Sequence, residues 1–183
     1  MLRMDAWAER MGMRAEGQCG FRTGRGAADN IFVLQHLTEM AQVRRKPLYC
    51  AFIDFRKAYD SVDRGLLWHV IAGMGVEGHV LDTLKEMYDC ASMRVRVRGS
   101  LGDPFDTTVG VKQGDPLSPL LFGLFIDRVE AWLRDNCPHG VRLGRRLLQV
   151  LLYADDLALV AESPAELQAL LDCLHEFCAA NCL

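Results

Sequence analysis

The chain has 183 residues, half of them apolar and a quarter charged, with a formal net charge of −3. That length can bury one well-formed core rather than two, and the composition excludes a disordered, fibrous or collagen-like chain. The longest apolar runs, around Val150 to Leu152 and Leu157 to Val160, are broken by Asp155 and Asp156, so no segment reaches the roughly twenty residues that span a bilayer.

The N-terminus has neither the apolar stretch nor the small-residue cleavage site of a secretory signal, which reads as an intracellular protein with nucleus and cytoplasm both open. The seven cysteines (Cys19, Cys50, Cys90, Cys137, Cys173, Cys178 and Cys182) are odd in number and form no C-x-x-C pair, so reduced thiols are expected. Cys173, Cys178 and Cys182 cluster loosely with His175, but the first two fall at core spacing on a predicted helix, which favours packing over metal binding. The acidic balance weighs against a polyanionic partner, since Lys and Arg supply much of such affinity. An acidic metal site would account for part of that balance.

In chain order, Ala27 to Gln42 is predicted helical, with Val33, Leu37, Met40 and Ala41 on one face and Pro47 closing the next turn. Leu48 to Asp54 reads as a buried strand ending on a carboxylate, a costly residue there unless a cation meets it. After Ser61, Leu66, Leu67, Val70, Ile71 and Met74 recur at helical spacing up to a stop at Gly75. A second helix from Glu77 carries Val80, Leu81, Leu84, Met87 and Tyr88 toward the core. From Ser92 to Arg98 the period changes to two, Met93, Val95 and Val97 alternating with Arg94, Arg96 and Arg98; Gly99 and Ser100 make the turn and Phe105 to Val111 the return strand. Ser118 and Pro119 predict a helix start, the hydroxyl capping free amides, with the helix running to about Arg134. Leu147 to Tyr153 and Leu157 to Val160 form a predicted hairpin with Asp155 and Asp156 at its tip. Ser163-Pro164-Ala165-Glu166 is a capping box for a last helix, whose stripe is Leu167, Leu170, Leu171, Leu174, Phe177 and Cys178. One single strand and two hairpins among helices predict an α+β fold in which an antiparallel sheet is backed by helices.

Three carboxylates therefore end apolar strands: Asp54, Asp155 and Asp156. Any one of them reads as a turn residue, but three with apolar approaches form a hard oxygen donor set suited to Mg²⁺ and to phosphoryl transfer between two ions.

The stretches Phe52-Ile53-Asp54-Phe55-Arg56-Lys57-Ala58-Tyr59-Asp60, Gln113-Gly114-Asp115-Pro116-Leu117-Ser118-Pro119 and Tyr153-Ala154-Asp155-Asp156, in that order and spacing, resemble the three palm motifs of reverse transcriptases of the non-LTR (LINE-type) retrotransposon branch. Gln18 to Gly26 resembles that branch's fingers motif, so the likeness covers nearly the whole chain. The resemblance implies a polymerase palm plus part of the fingers: residues 1–47 in the fingers, 48–183 mainly palm, and a chain that stops before the thumb. It implies an RNA-directed DNA polymerase working on an RNA template, a DNA primer and deoxynucleoside triphosphates, with two Mg²⁺ ions, or Mn²⁺ in their place. Asp54 and Asp155 are then expected to bridge the ions, with Asp156 as the weaker third ligand. Tyr59 falls where the family has an aromatic that excludes a 2′-hydroxyl; as a bare residue it also reads as a core aromatic.

Gln113 and Gly114 are expected at the substrate, where an amide hydrogen-bonds base or sugar and a glycine admits close approach. Arg22, and less directly Arg25, are candidates to hold the triphosphate, or else are solvated loop charges. Arg94, Arg96 and Arg98 read as a solvated face partly neutralised by Asp103 and Asp106, with a nucleic-acid backbone as the alternative partner. The competing readings are a ribonuclease H-type nuclease, a non-catalytic relic that binds RNA or protein, and a group II intron maturase.

Overall fold

The computed structural model describes residues 2–89 and 92–183; Cys90 lies outside them. Its centre is a three-stranded antiparallel sheet in the order β1 (Tyr49–Asp54), β9 (Asp156–Ala161), β8 (Val150–Tyr153). β9 sits in the middle, and its run Leu157-Ala158-Leu159-Val160-Ala161 is buried on both faces, which is why it lacks the alternation of a one-sided strand.

Alternate residues of this sheet feed two cores. Leu157, Leu159 and Ala161, with Ala51 and Ile53, pack into the large cluster beneath the helices α4 (Arg64–Gly73), α5 (His79–Asp89), α6 (Ser118–Ile126), α7 (Arg128–Asn136) and α8 (Pro164–Asn181). Val160 and Cys50 face the other way, into a small cluster with Leu37 and Leu34 of α2 (Ala27–Arg44). α2 therefore covers one end of the second face. β1 is an edge strand rather than the expected buried one, and Phe52 stands 75% exposed on it.

Several expectations require correction. The helix from His79 buries Leu81, Leu84 and Tyr88, but Val80 and Met87 are exposed, because a helix with one packed side has room for only part of its apolar set. The paired strand over 92–111 is two short ladders: β2 (Ser92–Met93) with β5 (Phe105–Asp106), and β3 (Arg96–Val97) with β4 (Ser100–Leu101). Met93, Val95 and Val97 are all exposed, since this arm extends away from any partner surface. Its turn falls at Arg98 and Gly99, both at positive φ (49° and 88°). Ser118 does not cap α6; its hydroxyl is buried against the Tyr88 hydroxyl at 3.1 Å, and Asp115 instead accepts from the Leu117 amide at 2.9 Å. The long helix expected through Arg134 is interrupted at Asp127. At Ser163 the hydroxyl accepts from Glu166 N as expected, while the Glu166 carboxylate returns to Glu162 N, one residue outside the reciprocal box.

Three elements went unforeseen: the helix α1 (Leu2–Arg10), the one-turn α3 (Ala58–Ser61), and the hairpin of β6 (Val141–Leu143) with β7 (Arg146–Leu148). The pattern Met4, Trp7, Ala8 carried a helical signal for the first, since all three pack on the large core. Among the described residues no helix is long and apolar enough to cross a membrane.

Candidate active site

The β1–β9 ladder ends with Asp54 directly opposite Asp156, and β8–β9 pairs Tyr153 with the same Asp156. Asp155 lies between them in the two-residue turn Ala154-Asp155. The three carboxylates are thus gathered at one end of the sheet. Asp54 and Asp156 are exposed and Asp155 is partly buried. Asp54 and Asp156 line a cleft of about 390 Å³ whose walls are Phe52, Tyr153, Leu151 and the start of α2, from Ala27 to Leu34. Among the described residues no group of three or more Asp, Glu, His or Cys side chains is already drawn together closely enough to hold a metal ion. The arrangement is an acidic rim open to solvent; two like charges directly opposed across a ladder repel one another.

Tyr59, on α3 just after Asp54, is half-buried with its ring stacked on Phe122 of α6 at 4.6 Å and 15°. Its hydroxyl is enclosed and has no hydrogen-bond partner. Burial pushes its pKa up to about 12, and the Asp155 carboxylate adds to that, which places the phenol beside the acidic turn.

The loop with Gln113 and Gly114 is tied to the same region by backbone. Val111 N donates to Tyr59 O and Gly110 N donates to Val62 O, both at 2.8 Å. Gly110 sits at φ +82°, and a Cβ there would stand 2.9 Å from the Asp60 backbone, so no other residue fits this crossing. Arg64 holds the segment from below: its guanidinium donates to Gly110 O (2.8 Å), Thr107 O, Thr107 Oγ1 (2.9 Å) and Val109 O (3.3 Å), and lies 5.2 Å from the Tyr88 ring centre. Gln113 and Gly114 themselves are exposed, Gly114 at φ +88°. Arg64 gave no sequence signal, being one arginine at a helix start.

Arg22 is not available at the surface. Its Nε and Nη2 pair with both Glu9 carboxylate oxygens at 2.6 and 2.5 Å, and Nη1 donates to Ala15 O (2.5 Å) and Gln18 O (3.1 Å). This pairing holds the Glu9 carboxyl below the usual range. Arg25 is partly buried against Glu16, donating to its carbonyl at 2.5 Å. Arg94, Arg96 and Arg98 are exposed along the arm. Cys173 is buried, Cys178 partly buried and Cys182 exposed, all as free thiols.

The family model described as reverse transcriptase (RNA-dependent DNA polymerase) matches residues 8–183. The Pol polyprotein of the type-2 retrotransposable element R2DM of Drosophila melanogaster is 31% identical over 160 residues, covering 87% of this chain and 15% of that protein. The R2 polyprotein of Nasonia vitripennis is 33% identical over 83% of this chain and 15% of its own length, and a 149 kDa protein of transposon TX1 of Xenopus laevis 34% identical over 86% and 12%. The chain thus spans no more than 15% of the length of these relatives. Among solved structures, apo telomerase from Candida tropicalis superposes with a TM-score of 0.65 at 15% identity, over 95% of this chain and 35% of that one. Telomerase from Candida albicans in complex with a telomeric RNA fragment gives 0.65 at 12% identity, over 97% and 31%. These structural likenesses establish a shared fold. The family match leaves no place for the ribonuclease H-type reading, and a sheet end carrying Asp54, Asp155 and Asp156 under these sequence matches means that the chain belongs to the reverse transcriptase family, with relatives in the non-LTR retrotransposon branch.

Proposed function

We propose that this chain forms the palm, with part of the fingers, of an RNA-directed DNA polymerase serving a non-LTR retrotransposon. Residues 1–47 belong to the fingers and 48–183 mainly to the palm. The observation that carries the reading is the register that brings Asp54 opposite Asp156 with Asp155 in the adjoining turn.

Carboxylate oxygens are the donors Mg²⁺ prefers, and this ion keeps several waters while taking one or two carboxylates plus substrate phosphates. An acidic rim open to solvent leaves room for those waters and phosphates. Asp54 and Asp155 would hold two Mg²⁺ ions, or Mn²⁺ in their place, with Asp156 as the third, weaker ligand. Such ions would supply Lewis-acid activation of the primer hydroxyl and charge stabilisation of the pyrophosphate leaving group.

The remaining work falls to side chains. The Tyr59 ring, fixed against Phe122, fills the space a 2′-hydroxyl needs and so selects deoxynucleotides by exclusion. Gln113 and Gly114, on a loop anchored through Val111 to Tyr59, contact the incoming nucleotide or its template base. Arg22 is left out of the triphosphate site because Glu9 engages its guanidinium. The partners are an RNA template, a DNA primer and deoxynucleoside triphosphates.

Primer extension on an RNA template tests the reading, using this chain alone and joined to the thumb segment of an R2-type relative. The fusion is expected to add deoxynucleotides and to lose that ability with Asp155→Asn. Undiminished extension by Asp155→Asn removes the site assignment; binding of RNA without extension by the fusion favours a non-catalytic relic.

A further inference from the structure

The turn that carries Asp155 is held from outside the hairpin. Ala154, its first residue, takes φ +59°, a left-handed conformation that costs an alanine about 1–2 kcal/mol and that two-residue hairpin turns usually assign to glycine. Gln18, fully buried, meets this residue at both of its backbone groups: Oε1 accepts from Ala154 N at 2.8 Å, and Nε2 donates to Ala154 O at 3.3 Å. The same amide is fixed on its other side, Oε1 accepting from Gly20 N at 2.8 Å and Nε2 donating to Asp127 Oδ1 at 3.1 Å.

Asp127 is itself immobilised. Its carboxylate accepts from Arg14 Nε at 2.6 Å and Ala15 N at 3.2 Å, and it occupies the interruption between α6 and α7. The backbone around Gln18 docks alongside β8, with Leu152 N donating to Gly17 O at 3.0 Å and Cys19 N to Leu152 O at 2.9 Å. At Gly20 an added Cβ would stand 2.2 Å from Ala154 N, so the approach is as close as backbone allows. Both polar atoms of the Gln18 side chain are spent on Ala154, Gly20 and Asp127.

We infer that Gln18 is a positioning residue for the acidic turn, holding the left-handed Ala154 so that the Asp155 carboxylate is presented toward Asp54 and the metal ions. The inference rests on the two-metal reading of Asp54, Asp155 and Asp156. Gln18 touches no reacting atom; it acts through Ala154.

Amide hydrogen exchange and Mn²⁺ titration of this chain test it. In the native chain the Ala154 amide is protected like the central-strand amides of Leu159 and Val160, although it lies in a turn. Gln18→Met, which nearly keeps the volume and removes all four side-chain hydrogen bonds, speeds Ala154 exchange at least about tenfold, leaves Leu159 and Val160 within about twofold, and weakens Mn²⁺ binding at least about tenfold. If Gln18→Met unfolds the chain, the native Ala154 rate decides the matter.

An Ala154 amide that exchanges freely in the native chain overturns the inference, as does Gln18→Met with native exchange and native Mn²⁺ affinity. Failure of the functional reading looks different: Mn²⁺ is then not bound by the native chain, or is bound equally well by Asp155→Asn, whatever the Ala154 amide does.

Discussion

Asp54 stands directly across the β1–β9 ladder from Asp156, two carboxylates facing each other at the open end of an otherwise apolar sheet. Opposed like charges weaken a strand pair, so the residues are placed at the expense of stability. Asp156→Asn is expected to raise the melting temperature of the metal-free chain by roughly 1–3 °C. Millimolar Mg²⁺ is expected to stabilise the native chain and to have less effect on Asp54→Asn. Differential scanning calorimetry with and without the ion checks both; a lower melting temperature for Asp156→Asn in the absence of metal contradicts the repulsion.

The Tyr59 hydroxyl titrates late because it is buried and because Asp155 is near. A group that holds its proton to about pH 12 when folded and about pH 10 when unfolded contributes stability present in full below pH 10 and lost as the pH rises from 10 to 12. Tyr59→Phe removes that share of the alkaline loss. Asp155→Asn lowers the Tyr59 pKa while leaving it above the ordinary value, since burial is the larger cause. Absorbance titration of native, Tyr59→Phe and Asp155→Asn chains reads both effects, and an unchanged Tyr59 titration in Asp155→Asn separates the two groups.

How much of this was legible beforehand differs by residue. The positions of the three aspartates at strand ends were readable because apolar runs lead to Asp54 and flank Asp155 and Asp156, whereas Tyr59 stood out only through the family resemblance. The two-sided burial of β9 and the edge position of β1 were not, because both are short apolar runs and only the order β1-β9-β8 tells them apart. Arg22 illustrates the opposite case. A guanidinium in a glycine-rich stretch suggests a phosphate, but α1, unseen in the sequence, brings Glu9 to it. Gln18 and Asp127 form a contact 109 residues apart, which no local pattern encodes.

Arg22→Ala is accordingly a stability mutation. It removes a largely buried ion pair and leaves Glu9 without its cation, at a cost of about 2–3 kcal/mol in urea unfolding, with Mn²⁺ affinity unchanged. Native stability joined to a specific loss of nucleotide binding returns Arg22 to the triphosphate.

Tyr59→Ala opens the space beside Phe122 and is expected to raise ribonucleotide incorporation relative to deoxynucleotide by about tenfold or more in the thumb fusion. Primer extension with each triphosphate in turn measures the ratio, and an unaltered ratio removes Tyr59 as the sugar gate.

The central claim is that the end of the β1–β9–β8 sheet holds divalent ions through Asp54 and Asp155. Electron paramagnetic resonance titration of Mn²⁺ into this chain addresses it without any need for turnover. The native chain is expected to bind Mn²⁺, and Asp54→Asn and Asp155→Asn each to weaken that binding at least about tenfold with the fold intact. Equal Mn²⁺ affinity in the folded Asp54→Asn/Asp155→Asn double variant would contradict it.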